Sequence, residues 1–266
     1  MTIQVPACQA CRAGRALPFD FTMAFQPIVD VERRTVFAHE SLVRGLDGAG
    51  AAHVLSQVNA ENRYAFDQAC RTKAVELASG LGLQGLLSIN FLPNAVYEPE
   101  TCIRATLAAA RRHQMPTHRL LFEITESEQV RDKQHLRNIV REYRRQGFKT
   151  AIDDFGAGYA GLNLLADFQP DYIKLDMDLI RDVHENHVRQ VIVRSIIEVC
   201  RALRIEVIAE GVESVGELRY LRAQGVKLFQ GYLFSRPVVG QVPGIHWAAA
   251  TTPAAFTPTK DLSCIH

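Results

Sequence analysis

The sequence has no long uninterrupted apolar run. A helix that crosses a bilayer needs roughly 20 consecutive apolar residues, and no segment of the 266-residue chain approaches that length. The first 18 residues also contain too little continuous apolar sequence for a secretory signal. We therefore expect a soluble protein without a membrane partner.

An excess of charge of one sign is missing as well. The 30 basic and 29 acidic side chains leave a formal net charge of +1. Proteins that attract nucleic acid or anionic membranes through charge alone carry a marked positive excess. The balance therefore gives no reason to expect polymeric nucleic acid as a partner. The share of apolar residues, 47%, is typical of a globular protein with a full core.

A disulfide framework is missing too, because the six cysteines are scattered along the chain. This scatter favours a reducing, cytoplasmic setting. Three of the cysteines fall within helical patterns and are interpreted as small packing residues. Cys8 and Cys11 are three residues apart but have no second such pair, so an incidental pair of thiols, half of a zinc site and a redox pair all stay open. The six positions are Cys8, Cys11, Cys70, Cys102, Cys200 and Cys264.

The chain does contain a regular alternation of short apolar runs and helical patterns. Predicted strands lie at 23–31, 36–43, 86–89, 120–122, 148–152, 172–175, 205–209 and 226–229, with helical patterns between most of them. This alternation predicts βα units and an α/β fold with a largely parallel sheet.

About eight such strands fit a closed (β/α)8 TIM-like barrel, which typically needs about 250 residues. An open doubly wound sheet is the structural alternative, although no glycine-rich dinucleotide fingerprint follows the first strand. We expect an irregular arm at 1–18, a barrel at 19–245 and an unstructured tail at 246–266.

Polar side chains stand in or directly after most of the predicted strands. In a barrel the carboxyl ends of the parallel strands meet at one face, where active sites lie. The sequence therefore predicts that these residues share one pocket. They are Glu40, Asn90, Glu123, Asp153 with Asp154, Lys174, Glu210 and Gln230.

The chemistry of this set favours a metal centre. Asp153 and Asp154 are adjacent at the end of an apolar run, where two unpaired carboxylates would repel each other and lose hydration. Carboxylate and amide oxygens suit Mg²⁺ or Mn²⁺ rather than zinc. Because the ligands exceed what one ion needs, we expect two ions, as in phosphoryl transfer. Lys174 would then orient water or neutralise charge, and Arg44 would hold a phosphate.

At this point the sequence resembles the EAL-domain family, whose members hydrolyse cyclic di-GMP to the linear dinucleotide pGpG with the help of metal ions. The signature appears as Glu40-Ser41-Leu42-Val43-Arg44, with Ser41 where the family usually has Ala. The remaining motifs follow in order across residues 20 to 240: Phe25-Gln26-Pro27-Ile28-Val29, Asn90, Glu123-Ile124-Thr125-Glu126, Asp153-Asp154-Phe155-Gly156, Lys174-Leu175-Asp176, Glu210-Gly211-Val212-Glu213 and Gln230-Gly231-Tyr232.

The resemblance implies specific roles and an antiparallel first strand. It places one ion on Glu40, Asn90, Glu123 and Asp153, and a second ion on Asp153, Asp154 and Glu210, with Asp153 bridging. It implies Lys174, Glu210, Glu213 and Glu126 as catalytic or supporting groups, with Glu126 anchoring the loop after Asp154. The expected substrate contacts are Arg44, Leu42, Gln26, Gln230 and Asp176. The resemblance also implies a homodimer.

Apart from Ser41, the departures from the family pattern lie in one loop. Ala157, Ala160 and Gly161 stand where hydroxyl residues are common, but no metal ligand is missing. The leading hypothesis is a standalone cyclic di-GMP phosphodiesterase, because the metal ligands are intact. We also expect no room in the chain for a companion cyclase domain. A cyclic di-GMP-binding or protein-docking module with little turnover is the alternative, and another phosphodiesterase specificity is a third.

Overall fold

The computed structural model describes residues 17–96, 98–125, 133–158 and 161–248. Cys8, Cys11 and Glu126 lie outside these ranges, as do the residues 1–16 of the expected arm and 249–266 of the expected tail. Within the described ranges no helix combines the length and apolar character needed to cross a bilayer.

Strands and helices alternate along the described chain. In order, the elements are β1 Thr22–Asp30, β2 Thr35–Arg44, α1 Ala51–Leu55, α2 Arg63–Gly80, β3 Leu86–Asn90, α3 Pro99–Cys102, α4 Arg104–Arg112, β4 Leu120–Thr125, α5 Lys133–Arg145, β5 Lys149–Phe155, α6 Gly161–Asp167, β6 Tyr172–Leu175, α7 Met177–Ile180, α8 His187–Leu203, β7 Glu206–Ala209, α9 Val215–Ala223, β8 Leu228–Phe229 and β9 Val238–Val239. Short 3₁₀ turns lie at Pro93–Ala95 and Thr117–Arg119.

The first eight strands close into a barrel. Strands β2 to β8 pair in sequence order as parallel neighbours. Strand β1 closes the ring because it pairs antiparallel with both β2 and β8. The predicted (β/α)8 barrel with an antiparallel first strand is therefore confirmed, and the open doubly wound sheet is excluded.

Two packed regions support the barrel. Inside it, near the amino ends of the parallel strands, Ile28, Ala38, Ile208 and Leu228 form a small apolar cluster. The larger core lies mainly between the strands and the surrounding helices. Parallel strands are covered on both faces, and for this reason they appear in the sequence as continuous apolar runs.

The carboxyl-terminal part of the barrel contains a strand that sequence analysis missed. Strand β9 pairs antiparallel with β1 at Ala24 and Phe25. Two residues have no detectable periodicity, so this pairing depends on tertiary contact alone. Beyond it, the His246 amide donates to the Phe234 carbonyl over 2.9 Å, and Trp247 packs against the core. These contacts lie where the expected barrel meets the expected tail, and the boundary itself stays a prediction.

A glycine holds the turn after β8 against the β7–α9 loop. The Val212 amide donates to the Gln230 carbonyl over 3.0 Å, and the Leu233 amide donates to the Val212 carbonyl over 3.1 Å. A Cβ atom on Gly231 would lie 2.0 Å from the Val212 carbonyl oxygen. Backbone atoms cannot yield as a flexible side chain can, so only glycine fits.

We expect Gly231→Ala to lower the free energy of unfolding by about 1–3 kcal/mol, the usual cost of overpacking a tight site. Urea denaturation measures the change. Gly244→Ala is the matched control, because a Cβ atom there meets nothing within 4 Å. Equal unfolding midpoints for the two variants would contradict the close approach at Gly231.

Candidate active site

The barrel register brings the predicted polar residues to one end. Asn90 in β3 is aligned with Glu123 in β4, and Thr125 in β4 is aligned with Asp153 in β5. Because these strands run parallel, their carboxyl ends share one rim. The polar residues at the strand ends therefore meet, as predicted.

Lys174 lies at the centre of this group. Its ammonium group is almost fully buried, with the side chain 1% exposed. It contacts four carboxylates from four different strands or strand ends. The distances from Nζ are 3.3 Å to Glu40 Oε2, 3.0 Å to Glu123 Oε2, 2.9 Å to Asp153 Oδ1 and 2.7 Å to Glu210 Oε1.

The carboxylates form two triads with one shared member. Glu40, Glu123 and Asp153 each offer an oxygen within 4.8 Å of the others. Asp153, Asp154 and Glu210 do the same. All of these donors are hard oxygen atoms, which suit Mg²⁺, Mn²⁺ or Ca²⁺. The arrangement fits divalent cations, with Asp153 between two candidate positions.

An irregularity in β5 places both aspartates at the rim. Successive side chains in a regular strand point to opposite faces, which would separate Asp153 from Asp154. The pairing of β5 with β6 shifts register between Ile152 and Phe155, and Asp154 has a left-handed φ of 53°. Such a backbone conformation is costly for a residue other than glycine and clusters at functional sites. Here it brings the Asp154 carboxylate into the same group as that of Asp153.

Hydrogen bonds fix the carboxylates of the first triad. Ser88 Oγ donates to Glu123 Oε1 over 2.5 Å, and Asn90 Nδ2 donates to Glu40 Oε1 over 3.0 Å. Gln230 Nε2 donates to the other oxygen of Glu40 over 2.7 Å. Since the Asn90 nitrogen faces Glu40, its amide oxygen is the atom that remains for a cation. Sequence analysis missed Ser88, although its position two residues before Asn90 puts it on the same strand face.

The site is short of positive charge. Burial raises the pKa of Glu123 and of Glu210 well above the usual range, and Lys174 offsets only part of that effect. Burial, with the adjacent Asp153, raises the pKa of Asp154 to about 6. For Lys174, burial lowers the pKa, but the surrounding carboxylates outweigh it and hold the pKa well above its usual value.

The shared aspartate has an atom suited to a cation. Asp153 Oδ1 is buried and accepts no hydrogen bond from the described residues, although it forms the ion pair with Lys174. A buried carboxylate oxygen without hydrogen bonds is unfavourable unless positive charge faces it. The interactions of this oxygen are therefore ionic, with Lys174 in the structure and with a cation if one is bound.

A cavity of about 240 Å³ opens over the two triads. Several predicted substrate contacts line it, as do Met177 and Tyr232, which sequence analysis did not single out. The lining includes Gln26, Leu42, Glu213 and Gln230 beside Glu40, Asp153, Lys174 and Glu210. Met177 and Tyr232 are partly exposed apolar side chains in otherwise polar motifs, and no sequence pattern separates them from core residues.

Two of the expected substrate contacts, Arg44 and Asp176, interact with their own neighbouring residues in the structure. Arg44 Nη1 donates to the neighbouring Val43 carbonyl over 2.7 Å, and Arg44 is not among the residues that line the cavity. Asp176 caps α7 by accepting the Asp178 amide at 2.8 Å. Their roles in substrate binding, like those of the other assigned site residues, stay predictions.

Two solved structures resemble this chain closely. A standalone EAL protein from Vibrio cholerae O395, crystallised with c-di-GMP, superposes with a TM-score of 0.86 and 52% identity, covering 89% of this chain and 100% of that one. The manganese and cy-diGMP complex of Klebsiella pneumoniae BlrP1 gives a TM-score of 0.77 and 38% identity, covering 84% of this chain and 57% of that one.

Two curated proteins of Escherichia coli K12 are also similar. The blue light- and temperature-regulated antirepressor BluF is 33% identical over 84% of this chain and 56% of its own length. The cyclic di-GMP phosphodiesterase PdeR is 40% identical over 44% of this chain and 18% of its own. The chain thus spans about half of one relative and less than a fifth of the other.

A family model also matches most of the chain. The EAL domain model aligns with residues 11–237, a range that includes every strand of the barrel and both carboxylate triads. The barrel with its antiparallel first strand, the ordered motifs and this match agree: the chain belongs to the EAL domain family.

Proposed function

We propose that this chain hydrolyses cyclic di-GMP to linear pGpG with the help of two divalent cations, Mg²⁺ or Mn²⁺. The observation that carries the proposal is the pair of carboxylate triads that share Asp153 around the buried Lys174. The similarity to a c-di-GMP-bound EAL protein and to a cyclic di-GMP phosphodiesterase supports the choice of substrate.

The charge of the site supports a requirement for two ions. Five carboxylates and one ammonium group leave a formal charge of −4 when all are ionised, and two divalent cations would neutralise it. Glu40, Asn90, Glu123 and Asp153 would hold one ion, and Asp153, Asp154 and Glu210 the other. When bound, such ions make water nucleophilic at neutral pH and neutralise the charge of a phosphodiester.

The chain's own groups would orient the reaction. Lys174 presents a fixed positive charge beside the shared aspartate, where it can position water and stabilise developing negative charge. Glu210 and Glu213 face the same cavity and would serve as proton-accepting or supporting groups. Glu126 is assigned the loop-anchoring role by resemblance and lies outside the described residues.

Substrate contacts are proposed around the same cavity. Gln26, Leu42 and Gln230 line it and would contact the dinucleotide directly. Arg44 would have to leave the Val43 carbonyl to reach a phosphate. Asp176 would act from its position at the start of α7. Together they would hold one phosphodiester above the triads.

Metal removal gives the most direct test. We expect EDTA to abolish formation of pGpG from cyclic di-GMP and either MnCl₂ or MgCl₂ to restore it, because the carboxylates alone would repel an anionic substrate. Chromatography that resolves pGpG from GMP measures the product. Full activity in metal-stripped protein would refute the mechanism.

A second test addresses Lys174. We expect Lys174→Ala to lower kcat by at least ~100-fold with saturating Mn²⁺, the usual loss when an electrostatic or proton-transfer group is removed. Lys149→Ala is the control, because Lys149 pairs with Asp171 at the amino end of β5, where its side chain is 43% exposed. A Lys174→Ala rate near the wild-type rate would contradict the assigned role.

A protein-docking module is the second candidate function. The specific observation behind it is the similarity, over 84% of this chain, to a protein named as an antirepressor. Incubation with cyclic di-GMP and Mn²⁺ separates the two candidates, since a docking module would bind the dinucleotide but release no pGpG. The set of metal-binding oxygens favours the enzyme.

We further propose that the chain forms a homodimer and acts in the cytoplasm. Helix α8 buries Val193, Ile197 and Cys200 on one face. Its opposite face exposes a stripe of Val188, Val191, Ile192, Val199 and Leu203. An apolar stripe of this kind suits a self-complementary twofold contact. The three described cysteines are free, in keeping with a reducing compartment.

The dimer proposal predicts that Ile192→Glu yields a monomer, because a charge at the centre of an apolar contact loses its hydration. Light scattering coupled to gel filtration measures the mass. Arg194→Glu is the control, since this exposed residue on the same helix lies outside the stripe. If the Ile192→Glu variant is still a dimer, α8 does not form the dimer contact.

A further inference from the structure

A buried ionic cluster lies behind the rim, outside the cavity over the triads. Asp67 and Arg71 stand one turn apart in α2, and Arg71 Nη2 lies 2.5 Å from Asp67 Oδ2 with both side chains almost fully buried. Arg71 Nη1 donates to the Tyr143 hydroxyl of α5 over 2.9 Å. The guanidinium lies 5.4 Å from the centre of the Phe91 ring and 5.6 Å from that of Phe122.

Such a cluster is a poor source of stability by itself. Removing two charges from water costs several kcal/mol per ion, and a well-packed apolar pair of similar volume is often as stable. Where a buried ion pair occurs, its polar atoms tend to fix geometry. The question is therefore which part of the chain the Asp67–Arg71 pair holds in place.

The second carboxylate oxygen of Asp67, which does not pair with Arg71, binds the segment that carries Asn90. Strand β3 ends at Asn90, and the Phe91 amide still donates to the Glu123 carbonyl over 3.1 Å. The next amide, that of Leu92, leaves the sheet and donates to Asp67 Oδ1 over 3.0 Å. Asp67 thus accepts the hydrogen bond of the first backbone amide after β3 that has no acceptor in the sheet.

The surroundings explain why this hydrogen bond matters. A cavity of about 320 Å³ lies beside the segment and is lined by Asp67, Asn90 and Leu92 together with mainly apolar side chains. Side chains make fewer packing contacts beside a cavity than in a filled core, so packing alone fixes the strand end less firmly on that side. Arg71 in turn fixes the Asp67 carboxylate and covers Phe91 from the other side.

We propose that Asp67 is a positioning residue for the metal centre: through the Leu92 amide it sets the place of the Asn90 side chain. This inference rests on the proposed role of Asn90 as a ligand of the first ion. Partners that orient metal ligands from behind typically change metal affinity by about 10- to 100-fold when they are removed.

The test compares two double variants in one background. Asp67→Leu/Arg71→Met removes the buried charges together and leaves the Leu92 amide without an acceptor. Asp67→Asn/Arg71→Met removes the same ion pair but keeps an oxygen at that place. Titration calorimetry of the metal-stripped proteins with MnCl₂ measures affinity and stoichiometry, and thermal unfolding measures stability.

We expect the leucine variant to bind Mn²⁺ at least ~10-fold more weakly than wild type and the asparagine variant to recover most of that loss. Tyr143→Phe, which removes only the hydroxyl on Arg71, should bind Mn²⁺ as wild type does. If the leucine variant does not fold, Asp67→Ala replaces Asp67→Leu in the same comparison.

Equal Mn²⁺ affinities of the two double variants would overturn the inference, whether both match wild type or both are weaker. Asn90→Ala separates this failure from failure of the proposed function. If Asn90→Ala weakens Mn²⁺ binding and the double variants do not differ, only the inference fails. If Asn90→Ala binds Mn²⁺ as wild type does, the assignment of Asn90 as a ligand fails, and the inference fails with it.

Discussion

Repulsion among buried carboxylates is the constraint on which the rest of the structure depends. Four of them lie within 3.3 Å of one ammonium group, and burial raises the pKa of two of these, Glu123 and Glu210, so it disfavours their charged forms. The barrel is the scaffold that keeps them together, because each is attached to a different paired strand or strand end. A looser scaffold would let the carboxylates separate and rehydrate.

Much of this arrangement is visible in the sequence because it follows the chain locally. An apolar run that ends in Glu123 or Asp153 indicates a buried strand, and the position of the acid indicates which end of that strand faces the rim. Parallel topology then forces the ends together. Asp154 is predicted from its place beside Asp153, but the register shift and the left-handed φ that bring it into the site are not encoded in any side-chain pattern. Strand β9 and the orientation of Arg44 also depend on tertiary partners, so they appear only in the structure.

The chain is similar in sequence to proteins whose names describe different activities, an antirepressor and a phosphodiesterase. Fold alone therefore does not decide function. The possibilities differ in which surface they need. Chemistry would use the rim with its two carboxylate triads, and docking would use the outer helices, where α8 exposes an apolar stripe. These two surfaces involve different elements and can change independently.

Closure of the barrel by β1 has a consequence for folding. Val29 pairs with Phe229, so the strand synthesised first meets one of its partners only after the last barrel strand has been made. Until then both β1 and β7 present open edges, which are the parts of a sheet most prone to pair with other chains. Contacts so distant in sequence also slow folding. The antiparallel strand that closes the barrel around the candidate site therefore cannot complete its pairing until β8 has been made.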